Sequence, residues 1–203
     1  MIEKVPIFPS KTFLSFPYSK HEFCSSTQQT SEEKELIQKE SIEMKYIEQW
    51  TQLKFKEIIF DSTKDNWNKG ISTFDSIILK KEKLVFTVET TENITIGGFI
   101  KRKINFIGKT GDNDCFVFTN KNNQWKKYMI KKTNKYDAFI LHTKQDPKLF
   151  TFGNDIIIYK EEMKDQSFVN ERNNFFEYGK ERNVLLGRIG TFSIKRIQVI
   201  QME

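Results

Sequence analysis

The sequence predicts an α+β chain that is mainly β: a two-sheet antiparallel β-sandwich edged by short helices and preceded by one N-terminal amphipathic helix. Three observations predict it. From residue 54 onward, short runs dominated by β-branched and aromatic residues follow one another. The links 90–93, 120–123, 133–137 and 145–148 are short and polar, which leaves no room for the crossover helices of a parallel sheet. The run 84–89 is apolar on both faces, because Leu84, Phe86 and Val88 point one way and Val85 and Thr87 the other. An interior strand under a second layer has that character.

In chain order, residues 1–30 read as a disordered tail. They hold Pro6, Pro9 and Pro17 and a Ser/Thr/Gln run from Ser25 to Ser31, with Phe8, Phe13, Phe16, Tyr18 and Phe23 spaced through them. A helix is predicted over 31–50. Thr30 followed by Glu33 makes a capping box, neither Gly nor Pro interrupts the segment, and Ile37, Met44 and Ile47 share a face. It is too short for a convincing coiled coil. The domain proper is read as 51–203. Its predicted strands are 55–60, 84–89, 94–101, 114–119, 125–131, 138–143, 149–152, 155–160 and 191–201, with short helices at 72–80 and 177–186. In the last strand Phe192 and Ile194 share one parity and Ile197 and Val199 the other, so a bulge or bend is expected at Lys195–Arg196.

Composition narrows the function. The 203 residues carry Lys+Arg 33 against Asp+Glu 27, a net charge of +6, and 28 of the 33 cations are lysine. Residues 1–50 have a net charge of −2 and residues 51–203 one of +8. The excess therefore belongs to the domain. It clusters at Lys80-Lys81-x-Lys83, at Lys101-Arg102-Lys103, and at Lys126-Lys127 with Lys131-Lys132. Such clusters meet acidic protein faces, anionic lipid or phosphate backbones. The interspersed acids and the scarcity of arginine demote nucleic acid, whose bases and phosphates arginine usually reads. The abundance of Ile, Lys and Asn, all with AT-rich codons, assigns part of the charge to base composition. No apolar run is long enough for a membrane-spanning helix, and no secretory signal is read at the N-terminus. Cys24 and Cys115 are too few for a disulfide framework.

Motifs for chemistry are sparse. His21 and His142 are the only histidines, and no G-x-S-x-G elbow occurs. His21-x-x-Cys24, Cys115 and His142 lack the paired short spacings of a structural zinc site. Asp112-Asn113-Asp114 has neither the Gly nor the Glu that a calcium loop needs, and reads as a tight turn. Gly108-Lys109-Thr110 has Lys103 where a phosphate loop requires its first Gly. No cofactor and no metal are expected. Cys115, in an apolar strand, is expected to be shielded from oxidants.

The order of signals from Trp50 onward resembles the TLDc domain, the module of eukaryotic oxidation-resistance proteins. The matching stretches are Phe55 to Asp61, Asp65-Asn66-Trp67-Asn68-Lys69-Gly70-Ile71-Ser72 with Phe74, Leu84 to Glu89, and Ile96-Gly97-Gly98-Phe99. Cys115-Phe116-Val117-Phe118, Leu149-Phe150-Thr151-Phe152-Gly153, Ser167 with Phe175, and Phe192 followed by Ile197-Gln198-Val199 complete it, over about three-quarters of the chain. The resemblance implies a β-sandwich, a role in oxidative-stress protection, and binding to the peripheral sector of the vacuolar proton pump (V-ATPase). It implies no catalytic residue. Two departures from the family pattern bear on pump binding: Gln198-Val199-Ile200 replaces a Glu-Val-Trp-like end, and Val169 stands where a Cys is common; the low-GC composition and the helix before the domain point to a divergent, protist-type member. Within the shared motifs, Trp67 and Phe74 are expected to cap the edge of the core. Gly70, Gly97, Gly98 and Gly153 are expected to hold backbone that a Cβ would strain.

The function expected is that of a non-enzymatic, TLDc-like protein-interaction module, cytoplasmic or on the cytosolic face of endomembranes. Its expected docking face is Lys101, Arg102, Lys103, Lys126 and Lys127, and the 31–50 helix is a candidate for self-association. Two alternatives stay open: a basic module for anionic membrane or nucleic acid, and a small enzyme whose site no motif reveals.

Overall fold

The computed structural model describes residues 42–203 apart from Asn174. The expected tail, the first part of the 31–50 helix and the His21-x-x-Cys24 pair lie outside the described residues.

Among the described residues twelve strands form two six-stranded antiparallel sheets. The strands are β1 (Phe55–Asp61), β2 (Leu84–Thr90), β3 (Thr95–Ile100), β4 (Gly108–Thr110), β5 (Phe116–Thr119), β6 (Lys126–Met129), β7 (Phe139–Leu141), β8 (Lys148–Phe152), β9 (Ile156–Tyr159), β10 (Ser167–Val169), β11 (Gly190–Phe192) and β12 (Ile194–Met202). The first sheet runs β1-β12-β2-β3-β5-β6 and the second β11-β10-β9-β8-β7-β4. A helix over 42–51, α1, precedes β1, and a five-residue helix, α2 (Phe74–Ile78), lies between β1 and β2.

The sheets meet through phenylalanine. Phe86 of β2 packs on Phe139, Phe150 and Phe152 of the second sheet at ring-centroid distances of 4.8, 5.0 and 5.5 Å. Offset and edge-on aromatic pairs add to what area burial alone contributes. From α2, Phe74 enters this cluster, stacked on Phe150 at 5.6 Å and edge-on to Phe60 at 4.8 Å. Phe74 is therefore an interior residue, not the edge cap expected of it, because the helix start aims its ring between the sheets. Trp67 is buried in the same cluster.

The outer face of the first sheet is apolar too, as the two-faced β2 required. Val85, Phe99, Phe116, Phe118, Ile200 and Met202 form a second cluster with Ile47, and Met44 and Trp50 pack against it. Helix α1 is thus a third layer. The face that Met44 and Ile47 share is spent on the chain's own sheet. The helix ends at Gln52, which turns left-handed at φ 58°.

Gly97 and Gly98 make room for rings on opposite faces of β3. A Cβ on Gly97 would lie 2.0 Å from the Phe86 carbonyl oxygen and 2.6 Å from the Phe118 ring, and one on Gly98 would lie 2.6 Å from the Phe152 ring. Close approach, more than backbone angle, demands glycine at this pair. Gly153 needs both: its φ is +53°, and a Cβ there would lie 2.5 Å from the Phe175 ring.

The strand predicted over 191–201 is two strands. β11 belongs to the second sheet and β12 to the first, and the chain crosses over at Ser193. The expected irregularity at Lys195–Arg196 is present as a register shift between Ile194 and Arg196. Two three-residue strands, β4 and β10, are absent from the sequence-based prediction. The helix expected over 177–186 does not form. That segment is irregular, because the Glu171 carboxylate accepts the amides of Val184 and Leu185 at 3.0 and 2.8 Å and Gly179 and Asn183 take left-handed angles.

Candidate protein-docking surface

The β2–β3 hairpin decides which charges are neighbours. Leu84 pairs with Ile100 at its open end, so the residues entering β2 lie beside those leaving β3. Lys80-Lys81-x-Lys83 and Lys101-Arg102-Lys103, two separate clusters in sequence, become one basic rim. The backbone stitches them together. Lys83 N–H donates to the Lys101 carbonyl at 3.0 Å, Lys80 N–H to the Ile104 carbonyl at 2.8 Å, and Ile104 N–H to the Lys81 carbonyl at 2.9 Å. Ile104 is fully buried and anchors the stitch in the core.

A second bracket holds the rim from below. The buried Asp112 carboxylate accepts the amides of Lys101 at 2.6 Å and Arg102 at 3.0 Å through Oδ2, and that of Asp114 at 2.9 Å through Oδ1. This is the tight turn expected at Asp112-Asn113-Asp114, with an added long-range role. Lys101 pairs with Asp114 at 2.9 Å, and that hydrogen bond raises its pKa. Lys80 and Lys83 both take left-handed backbone angles, φ 66° and 54°. Non-glycine residues rarely do so unless their surroundings over-determine them. Beyond the rim stand two exposed apolar side chains, Phe106 (61% exposed) and Ile107 (38%). Lys109 follows, paired with Asp137 at 3.0 Å.

Lys126 and Lys127 do not join this surface. They pair in register with Thr119 and Phe118, at the end of β5 away from Asp114. Lys126 reaches Glu181 at 3.3 Å, and the Lys127 ammonium sits 5.3 Å from the centre of the Phe116 ring. The expected five-residue docking face is therefore two surfaces at opposite ends of β3 and β5. The signal missed in sequence was the hairpin pairing that joins Lys80–Lys83 to Lys101–Lys103.

The remaining buried charges also act on loops. Asp155 is fully buried, and its Oδ2 accepts the Phe175 amide and the Tyr178 hydroxyl, each at 3.0 Å. Burial pushes this carboxyl up to about 6 against the pull of those donors. Lys160, 2% exposed, donates to the carbonyls of Thr143 and Lys148 at 2.8 Å and to that of Asp146. His142, at its strand end, has Nδ1 3.2 Å from Asp146 Oδ2, while burial lowers its pKa against the attraction of Asp146. Cys115 is fully buried, and burial raises its thiol pKa well above the ordinary value. Gly70, at φ +84°, donates its amide to the Lys144 carbonyl at 2.8 Å. Among the described residues no cluster of three His, Cys, Asp or Glu is placed to hold a metal ion. No helix among them is long and apolar enough to cross a membrane.

No family model matches the chain. No curated protein matches it either.

Proposed function

We propose that the chain is a non-enzymatic protein-interaction module whose docking surface is the basic rim Lys80–Lys83 and Lys101–Lys103 with Phe106 and Ile107 beside it. The observation that carries this reading is the pre-organisation of the rim. Its backbone is bonded strand to strand and bracketed by Asp112, while Arg102, Lys103 and Phe106 stay exposed. Aromatic residues and arginine are enriched at protein interfaces, and a rim already held in place loses little freedom on binding. The charge selects an acidic partner face.

The resemblance to TLDc domains names the first partner to test: the peripheral sector of the vacuolar proton pump, met in the cytoplasm on the cytosolic face of endomembranes, in protection against oxidative stress. A β-sandwich edged by short helices is what the resemblance implies, and the partner it names is what the experiment below tests. Self-association through the 31–50 helix has less support, because the Met44–Ile47 face already packs on the first sheet.

The test is a pulldown from lysate with mass spectrometry, with and without peroxide, comparing wild type with R102E/K103E. Recovery of pump subunits by wild type and their loss with the variant supports the reading. Recovery of no pump subunit in either condition removes the pump as partner. Equal recovery of the same proteins by R102E/K103E removes the rim. Binding of wild type to anionic vesicles or to nucleic acid at low salt, lost with the variant, would transfer the rim to the alternative basic-module reading.

A further inference from the structure

The opposite end of the sandwich holds a cleft between the β5–β6 connection and the segments 171–172 and 178–189. It has two adjoining parts of about 700 and 290 Å³, which share Glu181 and Arg182 in their walls. That size lies within the range of small-molecule sites.

The walls are fixed. The Thr119 hydroxyl donates to the Leu185 carbonyl at 2.7 Å, Lys121 Nζ to the Asn183 carbonyl at 3.2 Å, and Glu171 holds the amides of Val184 and Leu185. Farther along the loop, Arg188 forks onto Glu92 at 2.6 and 2.8 Å.

The cleft is also positively charged where it is open. Arg172, Lys180 and Arg182 line the larger part, and none takes a carboxylate partner among the described residues. The two acids in the wall are engaged: Glu171 with backbone amides, Glu181 with Lys126.

A second, independent feature is Tyr128, which lines the smaller part. It is 8% exposed, and its hydroxyl is buried with no hydrogen-bond partner. A buried polar group without a partner is costly and calls for an explanation. Burial, then the charges of Glu181 and Glu171, push this phenol up to about 12, so it is a donor at any physiological pH.

Two of the chain's five arginines, a lysine and an orphaned buried donor thus converge on one cleft. We propose that this cleft binds a small soluble molecule carrying phosphate groups, with the Arg172 and Arg182 guanidiniums as forks on phosphate oxygens and the Tyr128 hydroxyl as a donor at the cleft floor. Planar guanidinium matches phosphate geometry with paired hydrogen bonds, which an ammonium does not. The site is distinct from the rim at Lys101–Lys103.

The test is calorimetric titration of the full chain with inorganic pyrophosphate at about 0.15 M salt, where long-range attraction is screened. Saturable binding is expected, weakened about tenfold or more in R172Q/R182Q and severalfold in Y128F. The charge-matched control K56Q/K64Q, on and after β1 at the far edge of the first sheet, should bind as wild type. R172Q/R182Q alters exposed side chains, so it keeps the test valid should Y128F lose stability. No saturable binding overturns the proposal, as does an equal loss in K56Q/K64Q. Wild-type affinity in R172Q/R182Q overturns it too. So does retention on vesicles of anionic phospholipid with no response to pyrophosphate, which would assign the cleft to a lipid headgroup instead.

Discussion

Arg196 closes on Asp61 with two bonds, Nε at 3.2 Å and Nη2 at 2.7 Å from the carboxylate oxygens. The contact joins the end of β1 to the start of β12 across 135 residues of chain. Burial alone would raise the Asp61 carboxyl, but the Arg196 fork and the amide and hydroxyl of Thr63 outweigh it and bring it from 3.8 to about 2. The folded value lies below the unfolded one, so the contribution to stability is complete above about pH 4 and is lost as pH falls through about 2. It amounts to about 2 kcal/mol. R196M should destabilise the protein by about 3 kcal/mol at neutral pH, because it strands a buried carboxylate. Urea melts at pH 7 and pH 3 check both statements: the deficit of R196M should shrink at the lower pH, and a deficit independent of pH would contradict the assignment.

Asp155 has the opposite sign. Its carboxyl is raised from 3.8 to about 6, so the folded state holds a proton that the unfolded state has released between those values. Stability therefore falls as pH rises from about 4 to about 6, by roughly 3 kcal/mol in all. D155N keeps an acceptor for the Phe175 amide and the Tyr178 hydroxyl and removes the titration. Its stability should gain on wild type as pH is taken from 4 to 7. Parallel stability–pH curves for the two proteins would refute this.

The paired glycines of β3 should respond unequally. G97A drives a methyl against the Phe86 carbonyl, which is backbone in the middle of the sheet, whereas G98A meets the edge of the Phe152 ring. Overpacking of this kind costs about 1–3 kcal/mol where side chains can yield. G98A should fold with a loss in that range, and G97A should lose more or fail to fold. Thermal melts that rank G98A below G97A would show that the ring is the less yielding neighbour.

Cys115 should be chemically silent. It is fully buried, and its raised pKa leaves little thiolate at neutral pH. In a C24S background, an aromatic disulfide reagent should label Cys115 only at the rate of unfolding, rising with denaturant. Labelling within seconds in buffer would reopen direct peroxide chemistry at this thiol.

The readable parts of the fold were those that local pattern determines. Alternation marked the long strands, the double apolar face of β2 announced a layer on each side, and the change of parity after Ile194 marked the irregular start of β12. What escaped depends on partners far away in sequence. β10 is three residues, held by Phe192 opposite Ser167 and by Ile157 opposite Phe168. The helix expected over 177–186 does not form because Glu171 and Asp155, both before it in the chain, claim its backbone and its tyrosine. Individual lysine clusters were legible, yet which of them touch follows from the Leu84–Ile100 register. The cleft escaped altogether, because nothing about Tyr128 in sequence says that its hydroxyl is buried without a partner.

The crossing at Ser193 has a consequence for biosynthesis. Among the described residues β1 has no neighbour in its sheet but β12, and β12 is also the strand that joins β1 to β2. A ribosome that has released β1 must deliver more than a hundred further residues before that strand finds its mate. Until then the apolar side chains of β1 and the flank of β2 stand open to other chains. Pairings so distant in sequence are slow to form and exposed to aggregation. A nascent chain interrupted before Ile194 therefore cannot close either the first sheet or the outer cluster beneath α1, and both wait on β12.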